Sequence, residues 1–258
     1  MQKAFDFGAG AEIAYLRDRL KDKFGHLEVM PTRDPMGQLI KSLISSRTRD
    51  QVSHCAYERL VLAYPRWPVM AEAAPNDIQT AIAAVTFADV KVRYLRRTLR
   101  LIAANHPDFS LDFLGGWPIA EALAWLERLP GVGRKVSAST LNFSTLQLPA
   151  FVIDTHVLRV LRRFGFVRAT ADTRTAYETV MTAVDAWDAA DLAELHVLLK
   201  RLGQTRCRAE RPCCRGCPIS LRCQTGKRWT RQTIGSEAIS CGPIEFPGRA
   251  GIEIGIKR

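Results

Sequence analysis

The sequence predicts an all-α protein, and two observations support this fold class. Apolar residues recur at helical spacing in several segments, and sustained alternation of apolar and polar residues is not found before the C-terminal tail. The composition is that of a globular protein, since 47% of the 258 residues are hydrophobic and 24% are charged. A chain of this length forms one large domain or two small ones.

The first helical segment begins at Asp34-Pro35, an N-cap followed by proline at the first helical position. The apolar residues that follow have the spacing of one buried helix face: Met36, Leu39, Ile40, Leu43 and Ile44. Similar stripes predict helices around residues 92–102, 119–126 and 157–164. On the helix around 92–102 we expect a solvated basic face, formed by Arg93, Arg96, Arg97 and Arg100.

Two further predictions follow from local composition. Cys55 lies in a helical pattern and is predicted to be a buried, inert thiol. Residues 226–258 contain six glycines and no helical period, which predicts a loosely structured C-terminal extension.

A short segment, Leu129-Pro130-Gly131-Val132-Gly133-Arg134-Lys135, indicates a helix–hairpin–helix. Pro130 ends one helix, and we expect both glycines to take positive φ and to let a phosphate approach the backbone. The N–H groups that open the next helix then form an anion site. Such a contact would position DNA without reading its sequence.

The positive charge of the chain is concentrated in one segment. The formal net charge is +11, from 37 Lys and Arg against 26 Asp and Glu. Residues 200–231 hold ten basic residues and one acidic residue, so this segment alone carries +9. A concentrated basic region favours a polyanionic partner, either nucleic acid or an acidic membrane surface. No apolar run is long enough to span a bilayer, and the first ten residues lack the pattern of a secretion signal, so we do not expect a membrane-spanning or secreted protein.

Five of the seven cysteines lie inside this basic segment, in a stretch of 17 residues. The spacing Cys207-x6-Cys214-x2-Cys217-x5-Cys223 places four thiolates on one irregular loop, and Cys213 is a possible substitute for Cys214. Structural zinc normally uses two Cys-x2-Cys pairs, and only one is present. An iron–sulfur cluster is therefore the better candidate, with tetrathiolate zinc as the alternative.

Two polar residues are candidates for catalysis. Lys135 follows the hairpin, where a neutral amine would be a nucleophile that forms Schiff bases. Asp154 precedes a helical pattern and is either an ordinary N-cap or a carboxylate that stabilises a cationic, sugar-like transition state.

With these motifs, the sequence resembles the endonuclease III branch of the helix–hairpin–helix DNA glycosylase superfamily, over about residues 11–224. Three motifs carry the resemblance in order: the hairpin sequence, Val152-Ile153-Asp154-Thr155-His156, and the four-cysteine spacing. It implies a six-helix barrel at 35–150, with DNA in the cleft against a second helical module, formed by 1–34 and 151–225. It also implies a [4Fe-4S] cluster on Cys207, Cys214, Cys217 and Cys223.

The implied activity is base excision from double-stranded DNA. Lys135 attacks the sugar carbon of a flipped nucleotide, Asp154 stabilises the developing charge, and the resulting imine permits strand nicking, which makes the enzyme an AP lyase. Oxidised pyrimidines are the default substrate. We expect a monomer, cytoplasmic and nucleoid-associated if the source is bacterial. The expected DNA contacts are Gly131, Gly133 and Arg134 at the hairpin, Arg206, Arg208 and Arg211 at the loop, and Arg47 and Phe87 at the damaged base.

Arg47 and Phe87 depart from the pattern of the family. Relatives carry a glutamine in the gap left by the flipped base, where this chain has Arg47, a residue with donors only. Phe87 takes the wedge position, which usually holds an aliphatic residue, and an aromatic ring can stack on a base. A glycosylase for a particular mispair or alkylation-related lesion is therefore an alternative. A non-catalytic iron–sulfur DNA-binding regulator is another, although binding alone needs neither Lys135 nor Asp154.

Overall fold

The computed structural model describes residues 7–30, 33–232 and 255–257. These ranges form twelve α-helices, a 3₁₀ helix at Asp112–Gly116 and two short strands, β1 (Glu28–Met30) and β2 (Gly255–Lys257), which pair with each other. The all-α prediction is confirmed. The helices are α1 (Phe7–Phe24), α2 (Pro35–Ser45), α3 (Asp50–Ala63), α4 (Trp67–Glu72), α5 (Pro75–Ala81), α6 (Ala88–Asn105), α7 (Ile119–Glu127), α8 (Arg134–Asn142), α9 (Thr155–Phe164), α10 (Thr173–Ala183), α11 (Ala189–Thr205) and α12 (Gln224–Gln232).

The chain divides into two compact units, between Val29 and Met30 and between Ala150 and Phe151. We call the first the hairpin unit; it contains α2–α8. We call the second the loop unit; it contains α1 and α9–α12. None of the helices in the described ranges is both long enough and apolar enough to cross a membrane.

The hairpin unit is built around α2. As predicted, Asp34 caps this helix, and its Oδ1 accepts a hydrogen bond from the Gly37 N–H at 2.6 Å. The helix is buried along almost its whole length and packs against α3, α6 and α8. Its contact with α8 is partly polar, because Gln38 donates to the hydroxyls of Ser42 and Ser139, each at 3.0 Å. These buried polar groups satisfy one another, which fixes the register of the two helices.

Helix α6 has the amphipathic character that its sequence predicts. Its apolar stripe is buried: Val92, Leu95, Leu99 and Ile102. On the predicted basic face, Arg93, Arg97 and Arg100 are exposed, while Arg96 is half-buried.

In the loop unit, α9 packs against α10, α11 and α12. Its apolar face, which consists of Val157, Val160, Leu161 and Phe164, is buried as predicted. The helix ends at Gly165, whose φ of +98° is the left-handed conformation that glycine favours at helix ends.

Two predictions from local composition need correction. Cys55 is exposed on α3, because the buried face of that helix is formed by Ser53, Ala56, Tyr57 and Leu60 and Cys55 lies on the opposite side. The predicted loose extension begins inside α12, which continues to Gln232. Gly226 does not mark a loop: a Cβ there would lie 2.7 Å from the Ser220 carbonyl oxygen, so glycine permits close backbone packing. The rest of the extension, apart from β2, lies outside the described residues.

Candidate active site and cysteine loop

The hairpin between α7 and α8 has the predicted position. At Gly131 the φ is +77°, and a Cβ there would lie 2.5 Å from Cδ2 of the Tyr94 ring. Thr98 of α6 also donates a hydrogen bond to the Pro130 carbonyl at 3.2 Å. Glycine is therefore required at position 131 both by backbone conformation and by contact with α6.

Gly133 differs from the prediction. Its φ is −110°, so the expected positive φ is wrong at this position. It is the N-cap of α8, and a Cβ built on it would meet no atom within 4 Å. The first turn of α8 thus begins beside open space, whereas a Cβ at Gly131 would meet the Tyr94 ring.

Lys135 is the second residue of α8 and is half-buried. Its Nζ donates a hydrogen bond to Ser45 Oγ at 3.0 Å, and this hydroxyl donates in turn to the Ser42 carbonyl at 2.9 Å. The fold therefore holds the candidate nucleophile against the C-terminal end of α2.

A second lysine near this point was not found by the sequence analysis. Lys91 of α6 is 3% exposed, and its pKa is lowered to about 8 by burial and, to a smaller extent, by the charge of Lys135. The signal was present in the sequence, because Lys91 precedes Leu95 by four residues and Thr98 by seven. A lysine at that spacing lies on the buried face of the helix rather than on its basic face.

Arg47 and Phe87 are both exposed and both have left-handed backbones, with φ of +53° and +56°. Such values are uncommon for residues other than glycine, and strain of this kind is often found at functional sites. The structure joins their segments directly, since Thr48 Oγ1 accepts a hydrogen bond from the Thr86 N–H at 3.1 Å.

Arg134 is engaged within the hairpin unit. Its Nε lies 2.6 Å from Glu127 Oε1, and each side chain is only 12% exposed. The Ser137 hydroxyl donates to the same oxygen at 3.1 Å. This cluster links Glu127, the last residue of α7, to the first turn of α8, and so holds the two helices of the hairpin together. That Arg134 contacts DNA remains a prediction.

Asp154, in the loop unit, is the N-cap of α9. Its Oδ1 accepts hydrogen bonds from the N–H groups of His156 and Val157 at 2.8 and 2.9 Å. The N-cap interpretation is therefore confirmed, and both capping bonds use one carboxylate oxygen.

The surroundings of Asp154 favour its ionised form. Burial, the largest effect, would raise the pKa of this carboxyl group, but His196, Lys200 and the Val157 N–H outweigh it and hold the pKa below its usual value. His196 is itself buried, with Nδ1 2.6 Å from the Val152 carbonyl oxygen. Because a carbonyl can only accept, this Nδ1 carries the proton. Sequence analysis did not single out His196, which lies 42 residues away on a different helix, α11.

The four predicted cysteine ligands line one cavity of the loop unit, together with apolar side chains that include Val160, Leu202 and Ile219. All four are free thiols: Cys207, Cys214, Cys217 and Cys223. Cys213 also borders the cavity but is disulfide-bonded, which argues against its replacing Cys214 as a ligand.

Burial and, to a smaller extent, the neighbouring thiols raise the pKa of both Cys214 and Cys217 to about 11. Thiols with a raised pKa need a nearby cation to become thiolates at neutral pH. The donor set and the apolar wall of the cavity therefore fit a [4Fe-4S] cluster. Among the described residues, no three or more His, Cys, Asp or Glu side chains form a site for a single metal ion.

Two arginines of α9 tie the loop to this helix. Arg159 Nε donates to the Cys207 carbonyl at 2.8 Å. Arg163 donates to the carbonyls of Arg208 and Ala209 at 2.5 and 2.6 Å, and its Nη1 lies 3.6 Å from Cys207 Sγ. The first arm of the loop is thus held by α9 through its backbone.

The basic residues of the loop divide into two groups. Arg206 is half-buried, and its Nη1 donates to the Arg215 carbonyl at 3.0 Å and contacts Cys213 Sγ at 3.4 Å. Arg208 and Arg211 are exposed. Arg206 therefore braces the loop, while the other two present their charge to solvent.

Comparison with known proteins identifies the family. The model of the HhH-GPD superfamily of base excision DNA repair proteins matches residues 40–186, more than half of the chain, and this range includes both Lys135 and Asp154. The chain belongs to this superfamily. It is a base excision repair DNA glycosylase of the endonuclease III type.

The similar proteins include endonuclease III of Thermotoga maritima, which is 27% identical over 200 residues that cover 76% of this chain and 85% of the relative. Endonuclease III of Bacillus subtilis is 24% identical over 218 residues, which cover 84% of this chain and 94% of that protein. These relatives are endonuclease III homologues, which are DNA glycosylases and AP lyases.

Among solved structures, a trapped covalent intermediate of endonuclease III with DNA, an estranged-adenine complex, matches with a TM-score of 0.73 and 22% identity. The match covers 86% of the glycosylase and 99% of that chain. A thermostable thymine-DNA glycosylase matches with a TM-score of 0.66 and 18% identity, over 85% of the glycosylase and 97% of that chain. Both matches show the same fold, and the first was solved with DNA bound.

Proposed function

We propose that the glycosylase excises a damaged or mispaired base and nicks the strand through a Schiff base on Lys135. One observation carries this proposal: the Lys135 amine is held by the Ser45 hydroxyl at the first turn after the hairpin, and it is not a solvated surface group. A hydrogen bond at this point orients the amine for attack.

In the proposed reaction, the neutral Lys135 nitrogen forms a bond to the sugar C1′ while the bond from C1′ to the base breaks. The base leaves with that electron pair and is protonated. The attached nitrogen then loses a proton, and its lone pair forms the C1′=N bond while the C1′–O4′ bond of the sugar ring breaks and O4′ takes up a proton. The resulting protonated imine acidifies the adjacent C2′ proton. When this proton is lost, its electron pair forms a C2′=C3′ bond and expels the 3′ phosphate. The ionised carboxylate of Asp154 stabilises the cationic character that develops at the sugar, and its lowered pKa suits it to this role.

We propose that Cys207, Cys214, Cys217 and Cys223 hold a [4Fe-4S] cluster, which links the thiolates into a rigid loop. The loop then presents exposed basic side chains to DNA phosphates: Arg208, Arg211 and Arg215. Arg206 stabilises the loop that carries these residues through its hydrogen bond to the Arg215 carbonyl. At the hairpin, we propose that phosphate approaches at Gly133, where the space beside the backbone is open.

Oxidised pyrimidines are the default substrate. A second candidate is a particular mispair or alkylation-related lesion, and it is favoured by the exposed Arg47 and Phe87 in their left-handed conformations. A guanidinium can only donate, so Arg47 would select partner bases that offer acceptors. We propose that the enzyme acts as a monomer on duplex DNA, in the bacterial cytoplasm if its source is a bacterium.

Borohydride trapping on damaged duplex DNA tests the central proposal. The wild-type protein is expected to become covalently attached, and Lys135→Ala to lose attachment. Lys41→Ala is a matched control, because Lys41 also donates to a serine hydroxyl, Ser53 Oγ, at 3.0 Å in the same unit. Attachment that survives in Lys135→Ala would show that another residue is the nucleophile.

A panel of lesion duplexes, with both strands varied, then identifies the base. Oxidised pyrimidines are expected to be cleaved fastest, and cleavage confined to one mispair or alkylated base would favour the second candidate. Tight binding without excision of any lesion would favour the non-catalytic regulator.

A further inference from the structure

The hydrogen bonds that Lys91 forms with the described residues all lie within the hairpin unit, and none of them goes to a carboxylate. Its Nζ donates to the carbonyls of Ile44 and Ser46, each at 2.7 Å, and to Thr48 Oγ1 at 3.0 Å. An ammonium group has three N–H bonds, and these three acceptors match them. A buried charge is therefore held by backbone and hydroxyl dipoles alone.

The two carbonyls lie at the C-terminal end of α2, where the last carbonyls of a helix have no partner within it. A cation at this end also interacts favourably with the helix dipole. Lys91, which belongs to α6, thus binds the carbonyls at the C-terminal end of α2. It thereby stabilises the point at which the helix stops and the segment after Ser45 begins.

That segment lies next to three residues to which we assign a role at the DNA: Lys135, Arg47 and Phe87. Ser45, at the end of α2, accepts the hydrogen bond of Lys135. Arg47 lies between Ser46 and Thr48, both of which Lys91 contacts. Thr48 Oγ1 accepts the Thr86 N–H, one residue before Phe87. One ammonium group therefore fixes the backbone around the nucleophile's partner and around both residues expected at the damaged base.

We propose that Lys91 is a positioning residue, which holds the Ser45–Thr48 segment so that Lys135 and Arg47 are correctly placed on the extruded nucleotide. This inference rests on the proposed function. Lys91 does not touch the reacting atoms. It acts through Ser45 on the nucleophile and through Ser46 and Thr48 on Arg47.

The test uses Lys91→Met, which keeps most of the aliphatic stem and removes every donor. Single-turnover cleavage is expected to fall by about 100-fold, since small misplacements of a reacting group cost about this much. Binding to a duplex with an uncleavable abasic analogue is expected to change much less. Lys91→Arg, which keeps a cation and its donors, should recover part of the rate. Arg97→Met on the exposed face of α6 is the matched control and should behave as wild type.

Thr48→Val is a second variant for the case in which Lys91→Met does not fold. It removes one acceptor of Lys91 and the partner of the Thr86 N–H, and it should also slow cleavage more than it weakens binding. Thermal unfolding is measured for every variant. A folded Lys91→Met, or in its place a folded Thr48→Val, that cleaves within about twofold of the wild-type rate would overturn the inference. If wild-type protein fails to trap DNA at all, the proposed function fails instead, so the two results are distinguishable.

Discussion

The hairpin unit and the cysteine loop both keep reactive groups away from water, but they do so in opposite ways. In the hairpin unit the buried ammonium of Lys91 has three acceptors, all supplied by the chain itself. In the cysteine loop, four free thiols line one cavity, and burial, together with the neighbouring thiols, raises the pKa of Cys214 and Cys217 to about 11. In the first arrangement, each N–H of the ammonium group has an acceptor in the folded chain. In the second, the thiols need a cation to ionise at neutral pH, so the two regions should respond differently to the same perturbations.

Removal of the metal should produce the largest difference between the two regions. We expect a brown protein, and we expect that removing its iron will destabilise residues 207–223 by several kcal/mol, because metal binding contributes directly to the folding of such loops. Helices α2 and α8 should be unaffected. Hydrogen exchange measured by segment checks this, with protection lost in the loop and retained in α2.

Cys214→Ser should reproduce the effect of iron removal, while Cys55→Ser, at an exposed position on α3, should not. A colourless protein that contains zinc would reject the iron assignment. A loop that stays protected without metal would remove the proposed contrast between the regions.

Breaking a charge pair inside the hairpin unit should have the next largest effect. Glu127→Ala leaves the Arg134 guanidinium buried without its carboxylate, and the loss of one partner from a buried pair costs about 3–5 kcal/mol. The matched control is Asp89→Ala, because Asp89 pairs with Arg93 at 3.7 Å where both side chains are more than half exposed. Such exposed pairs contribute about 0–1 kcal/mol. Urea unfolding gives both values, and equal losses would show that the hairpin cluster is not specially stabilising.

The two hairpin glycines offer a finer comparison. Gly131→Ala should destabilise the unit by about 2 kcal/mol or more, because alanine disfavours a φ of +77° and its Cβ would overlap the Tyr94 ring. Gly133→Ala should lower the free energy of unfolding by only about 0.5–1 kcal/mol, because the change loses only the preference for glycine over alanine at an N-cap position. If phosphate approaches at Gly133, this second variant should nevertheless weaken DNA binding more than it weakens folding. Comparison of unfolding with binding to undamaged duplex DNA tests both expectations.

The sequence was informative where a single residue type is needed for a local reason. Asp34 and Asp154 cap their helices as predicted, and the four cysteines predicted as ligands line one cavity. The sequence was less informative where contacts between distant parts of the chain distinguish two residues of the same type. Both hairpin glycines look alike in sequence, yet only Gly131 has a positive φ, and only at Gly131 would a Cβ meet the Tyr94 ring of a distant helix.

Long-range partners were the hardest to predict. The role of Lys91 depends on carbonyls 45 and 47 residues away, at a helix end whose position no local pattern states. In the same way, the ion pair of Arg134 with Glu127 was not predicted from the sequence. Spacing identifies which face a residue occupies, while its partner depends on how the helices pack.

The smallest expected effect is a change of stability with pH that comes from Lys91 alone. Its pKa is about 8 in the folded protein and about 10.5 when unfolded, so between these values the unfolded chain binds more protons. Stability should therefore rise with pH across this window, by on the order of 1 kcal/mol after allowance for solvent screening. Lys91→Met should lack this contribution, and the difference between the two unfolding curves from pH 7.5 to 10.5 isolates it. A constant difference would mean that Lys91 keeps an ordinary pKa and that its three acceptors compensate for burial in full.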